Sequence, residues 1–238
     1  MTAEIRQTVN RSVLIVGASR GLGEAIVEEY VARGAHAVGT VRGETATPLH
    51  EFAARAGDSV EIEQVDIDHP DQIDSLAARL AGRQFDLLFV VAGISLAPME
   101  DIAVQISTQD FSRMMVTNAL GVMRAVEALH GLVSPTGTIA VMSSGQGSIS
   151  DNTQAGFEVY RATKSALNQL MRSYAVRHAE DARAILLMAP GWVKTTLGGP
   201  QARLEISDSI PPLVDTVDAQ RGIPGLQYLD RNGATIPW

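Results

Sequence analysis

The sequence predicts one large α/β domain over 1–238: a doubly wound parallel sheet of about seven strands with helices on both faces. Three observations carry that prediction. Short apolar, β-branched runs alternate with segments of helical period, and repeated strand–helix units build a parallel sheet with right-handed crossovers. A glycine-rich turn, Gly17-Ala-Ser-Arg-Gly21-Leu-Gly23, joins the first such run to the first helix. Hydrophobic residues are 45% of the 238, which suits a single large core rather than two small ones.

Ser12–Val16 is read as a buried strand. A helix with Ala25, Ile26, Glu29, Tyr30 and Ala32 at amphipathic spacing follows and ends near Gly34. The glycines between them permit a tight turn and close backbone approach, and the helix start offers free N–H groups to a pyrophosphate. Residues 35–41 form the second strand, and Arg42 follows at its tip with no Asp or Glu nearby. In a dinucleotide-binding sheet that tip meets the adenosine ribose, where an acidic residue favours the 2′-hydroxyl and an arginine a 2′-phosphate.

Residues 60–65 alternate apolar and polar side chains, as a more exposed strand does. Asp66, Asp68 and Asp71 lie close together around Pro70. Helix-start chemistry accounts for them without a metal. Residues 85–91 are an apolar strand ended by Ala92-Gly93. Residues 94–107 read as a loop, and 108–130 as a helix on whose apolar face Asn118 is the odd polar residue. Residues 138–142, 184–188 and 226–230 supply the remaining strands, the last at an edge. Residues 157–178 are a helix, and 196–212, rich in Gly and Pro, a mobile loop or lid.

Net charge is −8, which argues against a nucleic-acid surface and requires any bound anion to be met by local cations. Cysteine is absent, so disulfide and thiol chemistry are excluded, as suits a reducing cytoplasm. The N-terminal stretch is polar and lacks the apolar core of a signal peptide. No apolar run approaches membrane-spanning length, so a cytoplasmic protein with no membrane contact is expected. The five histidines show no ligand spacing, and no metal is expected.

The chemistry-bearing stretch runs from Ser144 to Lys164. Tyr160 and Lys164 stand four apart on one helix face, so phenol and ammonium address the same substrate. A neighbouring positive charge favours the phenolate and lowers a tyrosine pKa, which readies the group for proton exchange with a carbonyl or alcohol oxygen. Ser144 ends strand five, where its hydroxyl reaches the same oxygen. Ser143 and Ser148 are its rivals.

In this order the motifs resemble the short-chain dehydrogenase/reductase family over essentially the whole chain. The segments around 147–152, YRATKSALN, PGWVKT and the closing DRNGATIPW are similar to the C-signal- and sniffer-like carbonyl reductases. The resemblance implies a single-domain Rossmann fold with Asn118, Ser144, Tyr160 and Lys164 as the catalytic set. It implies a cofactor site from Gly17, Ser19, Arg20, Gly21, Leu22, Gly23, Arg42, Asp66, Ile67, Ala92, Gly93, Tyr160, Lys164, Pro190, Val193 and Thr195. Asp66 stands where the family contacts adenine, and Asn118 is expected to position a water linking Lys164 to solvent. Val91 replaces the family's usual Asn, and Ser144 lies a few residues further from Tyr160 than in most members.

The expected activity is hydride transfer between NADP(H) and a small carbonyl or alcohol substrate. Arg20 and Arg42 motivate NADP(H) over NAD(H). A sensor of the same fold without turnover is the alternative, and the complete Asn–Ser–Tyr–Lys set argues against it. Substrate closure is assigned to about 194–212, and the apolar faces of helices 108–130 and 157–178 lead us to expect a homodimer or homotetramer.

Overall fold

The structure, a computed structural model, describes residues 11–238; the polar stretch 1–10 discussed above lies outside the described residues. A seven-stranded sheet, parallel at every described pairing, runs in the order β3-β2-β1-β4-β5-β6-β7. The strands are β1 (Ser12–Val16), β2 (His36–Val41), β3 (Val60–Gln64), β4 (Phe85–Val90), β5 (Val133–Met142), β6 (Ala184–Ala189) and β7 (Gly225–Asp230). Strand order reverses where β1 lies between β2 and β4. Beyond the carboxyl ends at such a point the crossovers diverge and leave a crevice.

Residues alternate across each strand, so the sheet buries both faces. Leu14 and Val16 of β1 join one core with α3 (Pro70–Arg79), α5 (Val122–Leu129) and α6 (Glu158–Arg177). Val13 and Ile15 join the other, with α1 (Gly21–Ala32), α2 (Pro48–Ala56) and α7 (Ile206–Ala219). Among the described residues no helix is long and apolar enough to cross a membrane.

The predicted elements are found with three differences. Strand five starts earlier, at Val133. The single helix expected over 108–130 is α4 (Thr108–Met115), a π-helical turn at Val116–Gly121, then α5. The segment 196–212, expected as loop, becomes helix from Ile206. Pro211 and Pro212 lie inside that helix at some cost in backbone bonding. Burial of Ile210, Leu213, Val214 and Val217 on the sheet offsets it.

Candidate active site

A cleft of about 620 Å³ opens over the carboxyl ends of the central strands. Its floor is the glycine turn. The Gly17 N–H donates to Thr40 Oγ1 at 2.9 Å, and the Ala18 N–H to the Thr40 carbonyl at 2.8 Å, which ties the turn to β2. A Cβ on Gly23 would stand 2.1 Å from the Gly17 carbonyl oxygen, so only glycine lets α1 rise this close to β1. No side chain caps the start of α1 at Arg20, and its first residues line the cleft. An uncapped helix N-terminus on a cleft floor matches a phosphate group in both charge and hydrogen bonding.

Arg20 and Arg42 are exposed on the rim and, among the described residues, neither forms an ion pair. Asp66 Oδ1 accepts from the Asp68 N–H at 3.0 Å, and Thr117 donates to Asp68 Oδ2 at 2.9 Å. The three clustered carboxylates are therefore partly turn chemistry.

At the other end of the cleft β5 delivers Ser143 and Ser144, and α6 delivers Tyr160 and Lys164. Of the rival serines, Ser143 donates its hydroxyl to Asn168 Oδ1 at 2.6 Å. Ser148 accepts from the Asp151 N–H at 3.1 Å. Ser144 accepts only the Gln146 N–H, at 3.2 Å, and its hydroxyl neighbours the Tyr160 phenol. The geometry thus favours Ser144.

Lys164 is 2% exposed and donates to the Met142 carbonyl at 2.9 Å; burial pushes its ammonium down to about 8. Tyr160 keeps one side open to the cleft, yet protein packs closely round its phenol. Burial pushes it up to about 12, against an opposing pull from the Ser144 hydroxyl. The expected lowering of the Tyr160 pKa by Lys164 is not found. The ammonium lies 5.7 Å from the ring centroid, and desolvation of the phenolate dominates.

Asn118 sits in the π-helical turn, fully buried. Its Nδ2 donates to the Ile94 carbonyl at 2.8 Å and to Thr163 Oγ1 at 3.0 Å. Its Oδ1 accepts the Ile94 N–H at 2.8 Å. Both amide hydrogens are thus committed to protein, and Asn118 is not on the cleft wall. It fixes the backbone just past Gly93, behind Lys164. Every other residue nominated from sequence lines this one cleft: Gly17, Ser19, Arg20, Gly21, Leu22, Gly23, Arg42, Asp66, Ile67, Ala92, Gly93, Ser144, Tyr160, Lys164, Pro190, Val193 and Thr195.

Of the cleft residues that sequence reasoning did not nominate, three matter most to the cleft's shape. Thr40 anchors the glycine turn. Phe157 holds a left-handed backbone (φ 56°), the one described non-glycine residue to do so, and its ring meets Trp192 edge-on at 6.4 Å. Strain of this kind costs on the order of 1–3 kcal/mol and clusters at functional sites. Trp192 also donates to the Gly198 carbonyl at 2.7 Å, and Lys194 N–H donates to the Leu204 carbonyl at 2.8 Å. The segment after β6 is therefore folded back on itself before α7.

Outside the cleft the fold also gathers possible ligand atoms of Glu127, His130 and His178 within 4.8 Å of one another, which the histidine spacing did not foretell. Glu127 pairs with Arg177, and His130 Nδ1 with the Tyr174 hydroxyl at 2.9 Å.

Comparison with known proteins identifies the family. The short chain dehydrogenase family matches residues 11–204. A short-chain dehydrogenase/reductase candidate from Burkholderia multivorans, solved with bound NADP, is 52% identical with a TM-score of 0.94, over 96% of this chain and all of that one. A carbonyl reductase from Pseudomonas aeruginosa PAO1 in complex with NADP is 33% identical with a TM-score of 0.86, over the same shares. C-signal of Myxococcus xanthus is 34% identical over 131 residues, 54% of this chain and 79% of its own. With the family match running from β1 through the segment after β6, the chain belongs to the short-chain dehydrogenase/reductase family of oxidoreductases.

Proposed function

We propose that the protein is an NADP(H)-dependent oxidoreductase interconverting a small carbonyl compound and its alcohol. The observation that carries this reading is the single cleft in which Ser144, Tyr160 and Lys164 face the uncapped start of α1 and the two rim arginines. The NADP bound to the two neighbouring structures supports the cofactor choice. The residues fit that group: α1 and the glycine turn take the pyrophosphate, and Arg20 and Arg42 the 2′-phosphate. When bound, the nicotinamide supplies or accepts the hydride.

The chain's own groups handle the proton. A Tyr160 phenol held near 12 stays protonated throughout the neutral range, which suits the general acid of a reduction. It gives its proton to the carbonyl oxygen as negative charge develops there. Ser144 donates a hydrogen bond to the same oxygen and stabilises that charge. Lys164, at about 8, still carries its charge at pH 7 and adds a positive field beside the developing oxyanion. Asn118 holds the Ile94 backbone and so fixes the wall behind Lys164. In alcohol oxidation the same phenol would act in its deprotonated form, which a pKa near 12 makes scarce at neutral pH. Phe157, Trp192, Leu96 and Leu197 give the substrate end an apolar wall.

The test is a panel of carbonyl compounds with NADPH consumption as the readout. Turnover of at least one compound is expected. NADPH binding without turnover across a chemically broad panel would favour the sensor alternative.

A further inference from the structure

The turn that carries Ser144 is held by two residues to which the proposed chemistry gives no part. Tyr160, Lys164 and Asn168 follow one another at intervals of four on α6 and so share a face. Asn168, 3% exposed, accepts the Ser143 hydroxyl at 2.6 Å and donates to the Gly147 carbonyl at 3.3 Å. It therefore grips both ends of the segment 143–147, and Ser165 adds a hydrogen bond to the Gly147 carbonyl at 3.0 Å. The approach is tight: a Cβ on Gly147 would stand 2.8 Å from Asn168 Nδ2.

Tyr228 of β7 reaches the same turn, its hydroxyl close to the side chains of Asn168 and Ser143. It is 2% exposed, packs on Trp238 at 5.5 Å between ring centroids, and donates its hydroxyl to the Ser144 carbonyl. That carbonyl also accepts the Gly147 N–H at 2.8 Å, which closes the turn. A buried tyrosine hydroxyl needs a partner. Here the partner is the backbone of the serine whose hydroxyl neighbours Tyr160.

We infer that Tyr228 and Asn168 are positioning residues that together clamp the 143–147 turn and thereby aim the Ser144 hydroxyl at the reacting oxygen. The inference rests on the reading of Ser144 proposed above. A loosely held hydroxyl stabilises developing charge poorly, because it must reorganise as the charge appears. The closing strand of the chain, β7, then contributes to catalysis without touching substrate.

Tyr228→Phe is the clean variant, since it keeps the ring against Trp238 and removes one hydroxyl. Asn168→Asp is the second. It retains the acceptor for Ser143 and loses the donor to Gly147. Each is measured on a substrate from the carbonyl panel, alone and in a Ser144→Ala background, with the dissociation constant for NADPH followed by fluorescence. The expected result is about a tenfold fall in kcat for Tyr228→Phe, the worth of one hydrogen bond. NADPH affinity stays within about twofold, and the effect vanishes in the Ser144→Ala background, as coupled groups require. Wild-type kcat in both variants, or equal fractional losses with and without Ser144, would overturn the inference. Full activity of Ser144→Ala by itself would instead overturn the reading of Ser144.

Discussion

Replacing Lys164 by Met should make the protein more stable and inactive at once. The ammonium is 2% exposed, and burial lowers its pKa from the ordinary 10.5 to about 8. A difference of about 2.5 pH units between unfolded and folded chains, at 1.36 kcal/mol each, means that the buried charge costs about 3 kcal/mol at pH 7. Methionine removes that cost. It also removes the bond to the Met142 carbonyl and leaves that group unpaired, a loss of about 1–2 kcal/mol. The net gain at pH 7 is about 1–2 kcal/mol. The sign with pH follows from linkage. The folded pKa lies below the unfolded one, so between about 8 and 10.5 the unfolded chain binds more protons, and wild-type stability from this group rises with pH. The advantage of Lys164→Met should therefore shrink above pH 8 and reverse by about pH 10, where the remaining charge penalty, roughly 0.8 kcal/mol, falls below the loss of the hydrogen bond. Urea unfolding of both proteins at pH 7 and pH 10 reads this directly, as a change of order in the midpoints. A variant less stable than wild type at pH 7, by the same amount at pH 10, would refute the reasoning.

Three other outcomes are expected. Arg42→Ala should raise the Michaelis constant for NADPH about 10- to 100-fold and leave that for NADH almost unchanged, because a charge-assisted hydrogen bond is worth about 1.5–3 kcal/mol; equal losses with both cofactors would remove Arg42 from the phosphate site. Residues 196–205 should gain hydrogen-exchange protection when cofactor and substrate bind, as a closing segment does, and equal protection in both states would count against closure. Light scattering at micromolar concentration should give the mass of a dimer or tetramer, since Phe111, Leu120 and Leu170 remain exposed on the predicted helical faces; a monomer mass would overturn it.

Much of the fold was legible because its signals are local. The strands β1, β4 and β6 are nearly continuous apolar runs, and the β1–α1 turn announces itself by three glycines in seven residues. What escaped depends on tertiary context. The helix α2 buries Leu49 alone of its nine residues, too little to impose a pattern. The start of α7 reads as loop from Pro211 and Pro212, and only the sheet face beneath it explains why it is helical. The π-helical turn around Asn118 is invisible to periodicity, as are the bonds that its amide makes across to Ile94. Within the site, Tyr160, Lys164 and the glycine turn were readable from spacing. The direction of the Tyr160 pKa was not, because it is set by how closely protein surrounds the phenol, and sequence carries no burial for a single atom. Phe157 and Trp192 were missed for a related reason: they are far apart in the chain and meet only in the fold.

The central claim is that Tyr160 is the proton donor of a carbonyl reduction. Tyr160→Phe keeps the ring and the packing of α6 and removes only the hydroxyl. The most direct measurement is single-turnover reduction of an accepted carbonyl compound by wild type and variant, with NADPH binding followed in parallel. The account predicts a rate lower by about 10²–10⁴, the worth of general acid catalysis, with NADPH affinity within about twofold of wild type. A variant that reduces the substrate at near wild-type rate would contradict it.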